Sequence, residues 1–350
     1  MEIRTSQRRS LLELLLIVIG VLLLLHLGAP VLIPLFYSLL VALVLYPLVA
    51  KLESRGVPRW LAITLGLLLV AVLAGALLML LIHQINAFIA QLPRTDDPAA
   101  AGPLGFVGRA IAWLEAIAAE HRDEWWGPML AALPGRLTPM IGPFLESLFG
   151  MAFNLFIIPV FTALLLYNRG RWVTVLAGIT GPVWAPRLPA LLKRIVANYA
   201  GFIIGMVQVY LIVGVLNSVG FLLLGVPNAI LFGMLTAIMT MIPYVGIIFS
   251  SLLPITLAYT TTGSIWLPIG VIAVLAVVQY LEANLIFPKI VGGKLGLNTL
   301  VSLLVIFAGG MLWGVAGMIL FLPLVSILKL VSEEVPSWRP LRLFLGDDKV

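Results

Sequence analysis

One carboxylate stands out in the C-terminal apolar half of the sequence: Glu282 is the only acidic residue there before Glu333, in the run Gln279-Tyr280-Leu281-Glu282-Ala283-Asn284. Holding a carboxylate in hydrocarbon costs several kcal/mol unless it is protonated, paired or facing a wet cavity, so such a group is a functional candidate by default. It could carry a proton, bind a solute or act as a gate. Gln279 lies one helical turn away on the same face, and Asn284 adds a second amide. A bland reading stands beside this one, in which Glu282 reaches the interface and neutralises Lys289 or Lys294.

Backbone groups supply the other candidates. The apolar runs Ala229–Thr262 and Asn298–Leu330 each hold about 33 residues, too many for one untilted span of about 20 and too few for two spans with a turn. The first is interrupted at Ile242-Pro243-Tyr244-Val245-Gly246 and the second at Ala308-Gly309-Gly310, with Gly314 and Gly317 close behind. Proline removes a donor and kinks a helix, and glycine relaxes it. Two re-entrant helical hairpins are therefore expected rather than two long spans, with Pro243, Tyr244, Gly246, Gly309 and Gly310 joining Glu282, Gln279 and Asn284 as pathway candidates. A kink needs no ligand, however, and Gly309 and Gly310 could simply allow close helix packing.

The elements that position these residues follow from composition. Hydrophobic residues make up 62% of the 350 and charged residues 10%, against about 45–50% and 25% in soluble domains. The bilayer is the main solvent, and the expected fold is an all-α integral membrane protein with about eight membrane segments. In such a chain the net charge of +6 belongs to cytoplasmic loops, not to a nucleic-acid surface. There is no Cys for a disulfide or thiolate metal site, and His26, His83 and His121 lack metal-ligand spacing. No cofactor is implied. Phosphate loops, G-x-S-x-G elbows and H-E-x-x-H are absent, so no enzyme is expected.

The chain divides by pattern. Residues 1–90 carry N-terminal membrane helices acting as a scaffold: residues 11–28 read as a retained first helix, and residues 11–50 have room for two helices and a tight turn. Residues 91–146 form an acidic extramembrane insert, with Phe106, Ala110, Ile111, Leu114 and Ile117 at helical spacing. Residues 147–200 comprise a fourth span and a basic segment ending in a surface helix. Residues 201–332 form a C-terminal transport unit with a weak inverted repeat, and residues 333–350 a cytoplasmic tail. Lys and Arg placement puts both termini, Lys51–Arg59, Arg169–Arg194 and Lys289–Lys294 inside. Inverted repeats with discontinuous helices are a recurrent plan of secondary transporters, because unwound backbone offers polar groups near the midplane.

Leu224-Gly225-Val226-Pro227, Ile242-Pro243-Tyr244-Val245-Gly246, Gln279-x-x-Glu282-x-Asn284-x-x-x-Pro288-Lys289-Ile290-Val291-Gly292 and Gly309-Gly310-Met311-Leu312-Trp313-Gly314, in that order and spacing, resemble the autoinducer-2 exporter (AI-2E) family of bacterial permeases. The resemblance implies roughly eight membrane segments, an insert after the third, and an oligomer. It also implies export of autoinducer-2 in some members and sodium or lithium/proton antiport in others. Three positions depart from the family pattern: Ile247 replaces a proline, Ala283 a glycine, and Leu297-Asn298-Thr299 a Leu-His-Pro. The missing His removes a titratable group from any borrowed proton scheme. The sequence thus reads as a multi-pass inner-membrane transporter. It is expected to export a small polar metabolite such as autoinducer-2 by alternating access, as a homo-oligomer in the lipid bilayer. A cation/proton antiporter and a non-transporting membrane scaffold are the alternatives.

Overall fold

A computed structural model describes residues 19–89, 156–182, 184–240, 245–291 and 294–346, together with positions 13, 16 and 17 and short pieces between 112 and 135. The described residues form helices and turns with one isolated bridge between Leu297 and Gly346. Among the described residues, five helical runs are long and apolar enough to cross a membrane, within Ala29–Ser54, Arg59–Met79, Leu188–Leu223, Trp266–Ile290 and Thr299–Glu334. The chain is a multi-pass helical membrane protein.

The chain separates into two compact units, the first made of residues 1–68, 153–205 and 291–350 and the second of residues 69–152 and 206–290. In the first unit, helix α1 covers Ala29–Ser54. The expected tight turn before it is absent. Residues 19–27 run through Gly28, whose backbone is right-handed helical, and the Leu32 N–H bonds the Gly28 carbonyl at 2.8 Å. Pro30 removes one N–H and bends this path, but a single helical residue cannot reverse it.

Helix α2 spans Arg59–Ile89 and helix α3 spans Phe156–Tyr167. Ala42, Leu45 and Val49 of α1 pack with Ala62 and Ile63 of α2 and Leu166 of α3. Two buried hydroxyls tie α1 to α3. Ser38 Oγ lies 3.1 Å from the Ile158 carbonyl oxygen, and Thr162 Oγ1 donates to the Ser38 carbonyl at 3.2 Å. Lipid gives apolar side chains no reason to prefer protein neighbours, so small residues and such hydrogen bonds hold membrane helices together. At the end of this bundle Glu53 accepts from Arg59 at 3.3 Å and pairs with Arg169, whose guanidinium lies over the Tyr46 ring.

Helix α4, Arg169–Thr180, has no buried residue. Helix α5 then runs unbroken for 36 residues from Leu188 to Leu223. The expected surface helix and the span after it are therefore one rod. Its amphipathic start buries Leu188, Ile195 and Tyr199, while Arg194 on the polar side bridges Glu333 at 2.7 Å and Glu334 at 2.9 Å.

Candidate functional site

The two interrupted runs come first, because they set the backbone around the candidates. In the second unit Ala229–Thr262 consists of helix α6, Ala229–Met239, and helix α7, Val245–Thr262, packed against each other. At about 1.5 Å per residue the 11-residue α6 is about 16 Å long, roughly half a hydrocarbon core. Gly246 is buried at the start of α7, and a methyl built on it would run into the Met239 carbonyl. A side chain is excluded there by the close return of the chain. Pro243 and Tyr244 lie outside the described residues.

In the first unit helix α9, Thr299–Glu334, is two arms and not one rod. Trp313 and Gly314 leave the helical region, Gly314 at φ 59° and ψ −141°. The chain doubles back there: a methyl on Gly309 would stand 2.7 Å from the Gly317 carbonyl carbon, although a straight helix would set residues eight apart about 12 Å from one another. The sequence placed the interruption at Ala308-Gly309-Gly310. The turn lies a helical turn later, and Gly309 and Gly310 serve the crossing of the arms instead. Trp313 closes the tip, donating from Nε1 to the Leu25 carbonyl at 2.8 Å and meeting the Phe321 ring edge-on at 5.0 Å.

Glu282 lies in the second unit, where helix α8, Trp266–Leu281, passes into a π-helical turn, Glu282–Ile286, and a last α turn, Phe287–Ile290. Pro288 accounts for the turn. In a regular α-helix its ring would collide with the carbonyl of residue 284, and it has no N–H to give. Widening the previous turn avoids this, and the Phe287 N–H bonds the Glu282 carbonyl, five residues back. Single π turns of this kind are rare and concentrate at functional sites.

The Glu282 side chain is buried, at 9% exposure, and accepts from Gln279 Nε2 at 3.2 Å. Among the described residues it makes no ion pair. Lys289 is exposed, and Lys294 donates to the Gly201 carbonyl at 3.3 Å. The Tyr210 hydroxyl of α5 lies within electrostatic range of the carboxyl. Gln279 and Glu282 therefore form a pair. Asn284 does not join them: it is exposed, and its amide donates to the Tyr280 carbonyl at 2.9 Å. Gly309 and Gly310 belong to the other unit. Sequence reasoning missed the π turn, although Pro288, six residues after Glu282, was the signal for it.

An apolar helical membrane protein with, among its described residues, one buried carboxylate in no ion pair beside a helix defect, and with two interrupted runs, belongs to the class of polytopic membrane proteins that carry polar groups inside the bilayer. The model of the family described as AI-2E family transporter matches residues 14–337, and the chain belongs to that family. Among its relatives, a putative transport protein of Haemophilus influenzae is 27% identical over 330 residues, covering 92% of this chain and 91% of the relative. The putative transport protein YrrI of Bacillus subtilis is 24% identical over 310 residues, 85% of each chain. The AI-2 transport protein TqsA of Escherichia coli K12 is 24% identical over 331 residues, covering 91% of this chain and 90% of the relative.

Proposed function

We propose that this protein is a secondary transporter that exports a small polar metabolite of the autoinducer-2 kind across the inner membrane by alternating access. The observation that carries this reading is Glu282, a buried carboxylate without an ionic partner among the described residues, at a π turn about two turns from the end of a membrane-length helix. Such a group is costly to hold unless a solute, a proton or water meets it. Gln279 holds the carboxylate in one orientation. Family membership supports transport, and the name of the Escherichia coli relative supports the solute. A sodium or lithium/proton antiporter is the second reading, favoured by the fact that the same carboxylate could exchange a proton for a cation.

Reconstitution in liposomes tests the reading. Autoinducer-2 efflux without sodium-driven proton movement is expected, and the reverse result would install the antiporter. Transport in neither assay, nor of a wide solute panel, would favour a membrane scaffold. Glu282→Gln should keep the folded yield and lower flux at least tenfold, because an isosteric neutral group removes charge without leaving a buried unpaired ion. Lys289→Gln should transport nearly normally. Equal, near-normal flux in both variants would remove Glu282 from the pathway.

The proposed topology has both termini inside and the two interrupted runs re-entrant, so that Lys289 and Lys294 face the cytoplasm with the other basic loops. A Lys294→Cys variant in this cysteine-free chain should react with an impermeant thiol reagent only from the cytoplasmic side. Reaction only from outside would restore two plain spans.

A further inference from the structure

Among the described residues of the second unit, Asn217 combines near-complete burial, at 2% exposure, with a side-chain oxygen that meets no hydrogen-bond donor. Its direction can be read from its neighbours on α5. Gly214 faces α6: a methyl built on it would stand 3.4 Å from Ala237 Cβ. Gly220 faces α8, with a methyl there 3.1 Å from Val274 Cγ2. A helix turns about 100° per residue, so Asn217, midway between the two, points about 60° from each. It is aimed into the wedge between α6 and α8.

Nearby hydroxyls do not satisfy it. Ser218 donates to the Gly214 carbonyl at 2.7 Å, and Thr236 to the Phe232 carbonyl at 2.9 Å. Among the described residues of α5 and α8, its neighbours along the two helices Val213, Phe221, Leu275 and Val278 are apolar and buried. Tyr210, two turns earlier on nearly the same face of α5, is the residue within electrostatic range of Glu282. The stripe that carries Asn217 therefore leads to the candidate carboxylate.

An unsatisfied buried acceptor destabilises the fold, and a leucine of similar size would avoid that cost. We propose that Asn217 is a second polar contact for the transported solute in this unit, and that the solute is a neutral small molecule bearing hydroxyl or carbonyl groups. This rests on the transport reading above and narrows it. An amide both donates and accepts, which matches a hydroxyl. A cation needs several oxygens around it, and here, among the described residues, one free side-chain oxygen stands beside two hydroxyls already bonded to helix carbonyls.

The absence of native cysteine gives a test that does not depend on flux. In the full-length protein in liposomes, Asn217→Cys should react with a small water-soluble methanethiosulfonate, while Val271→Cys, in the packed core of α6, α7 and α8, should not. Saturating autoinducer-2 should slow the reaction at least threefold, and sodium chloride in place of choline chloride should leave it unchanged. No labelling at position 217, labelling that autoinducer-2 does not slow, or slowing by sodium would each overturn the proposal. Asn217→Leu should raise the thermal midpoint and reduce autoinducer-2 flux at least tenfold, whereas Asn217→Ser, which keeps a donor and an acceptor, should retain most of it. Unchanged flux in Asn217→Leu would also overturn it. If wild-type protein moves no autoinducer-2 yet the labelling is slowed by it, the transport reading fails and the binding contact stands.

Discussion

In the second unit the run from Ala229 to Thr262 is interrupted between α6 and α7, where the sequence holds Pro243; in the first unit the run from Thr299 to Glu334 is interrupted at Trp313 and Gly314. Both produce two helical arms that lie against each other, and both do so with glycine at the closest approach, Gly246 beside the Met239 carbonyl and Gly309 beside Gly317. The origins differ. A proline interrupts a helix covalently, by removing a donor and crowding the carbonyl four residues back. Gly314 interrupts one through a backbone conformation, φ 59° and ψ −141°, that is essentially closed to other residues. A break made by glycine is strained by any side chain placed at that residue, while a break made by proline is relieved by replacing the proline itself.

The largest effect expected from this comparison lies at the crossing of the arms in the first unit. Gly317→Ala would place a methyl against the Gly309 backbone, which cannot move aside as a side chain could. Overpacking of this kind costs about 1–3 kcal/mol, and a backbone obstacle puts it at the upper end or beyond. Gly310→Ala is the matched control: its methyl would meet Met318, 2.7 Å from the flexible Cε end, and a cost below about 1 kcal/mol is expected. Thermal midpoints in detergent measure both. Equal losses would show that the arms are not in backbone contact.

The next effect separates the two origins of the breaks. Gly314→Ala forces an L residue into the glycine-only region and should cost about 1–3 kcal/mol. Pro243→Ala should not destabilise, since proline is the poorer helix former by about 3 kcal/mol; if the break serves the pathway, it should lower flux at unchanged folded yield. A midpoint loss in Pro243→Ala as large as in Gly314→Ala would erase the distinction. Adding Gly246→Ala would confuse this test, because that methyl clashes with the Met239 carbonyl for reasons unrelated to helix propensity.

Legibility in the sequence followed the same divide. Long uniform apolar stretches such as Arg59–Met79 and Trp266–Ile290 were readable because hydrocarbon thickness sets span length and little else competes. Proline was readable as a local effect, apart from the π turn before Pro288, where the sequence shows the collision but not the accommodation. Glycine was not: Gly309, Gly310, Gly314 and Gly317 lie within nine residues, and nothing local says which one turns the chain and which ones touch across it. The same limit explains the misjudged start of α1, where Gly28 and Pro30 could make a tight turn or a bend. Glu282 was visible as a lone acid, and its pairing with Gln279 follows from spacing. Asn217 is not distinguishable in the sequence from Gln208 or Thr236, because its unsatisfied side-chain oxygen depends on α6 and α8 packing against α5.

The smallest effect concerns the tip of the interrupted run in the first unit, and it tests whether glycine alone holds that tip. Trp313 makes two kinds of contact there: its rings lie 5.9 Å from Phe36 and 5.0 Å from Phe321, and its Nε1 donates to the Leu25 carbonyl at 2.8 Å. Trp313→Phe removes the donor and part of the ring but keeps an aromatic group between the two phenylalanines. The lost hydrogen bond is worth about 1 kcal/mol net. A fall in the thermal midpoint smaller than that of Gly314→Ala is expected, with flux close to wild type if the tip is a fixed support. A loss larger than that of Gly314→Ala would reverse the assignment and make the indole anchor, not the glycine, the feature that holds the turn.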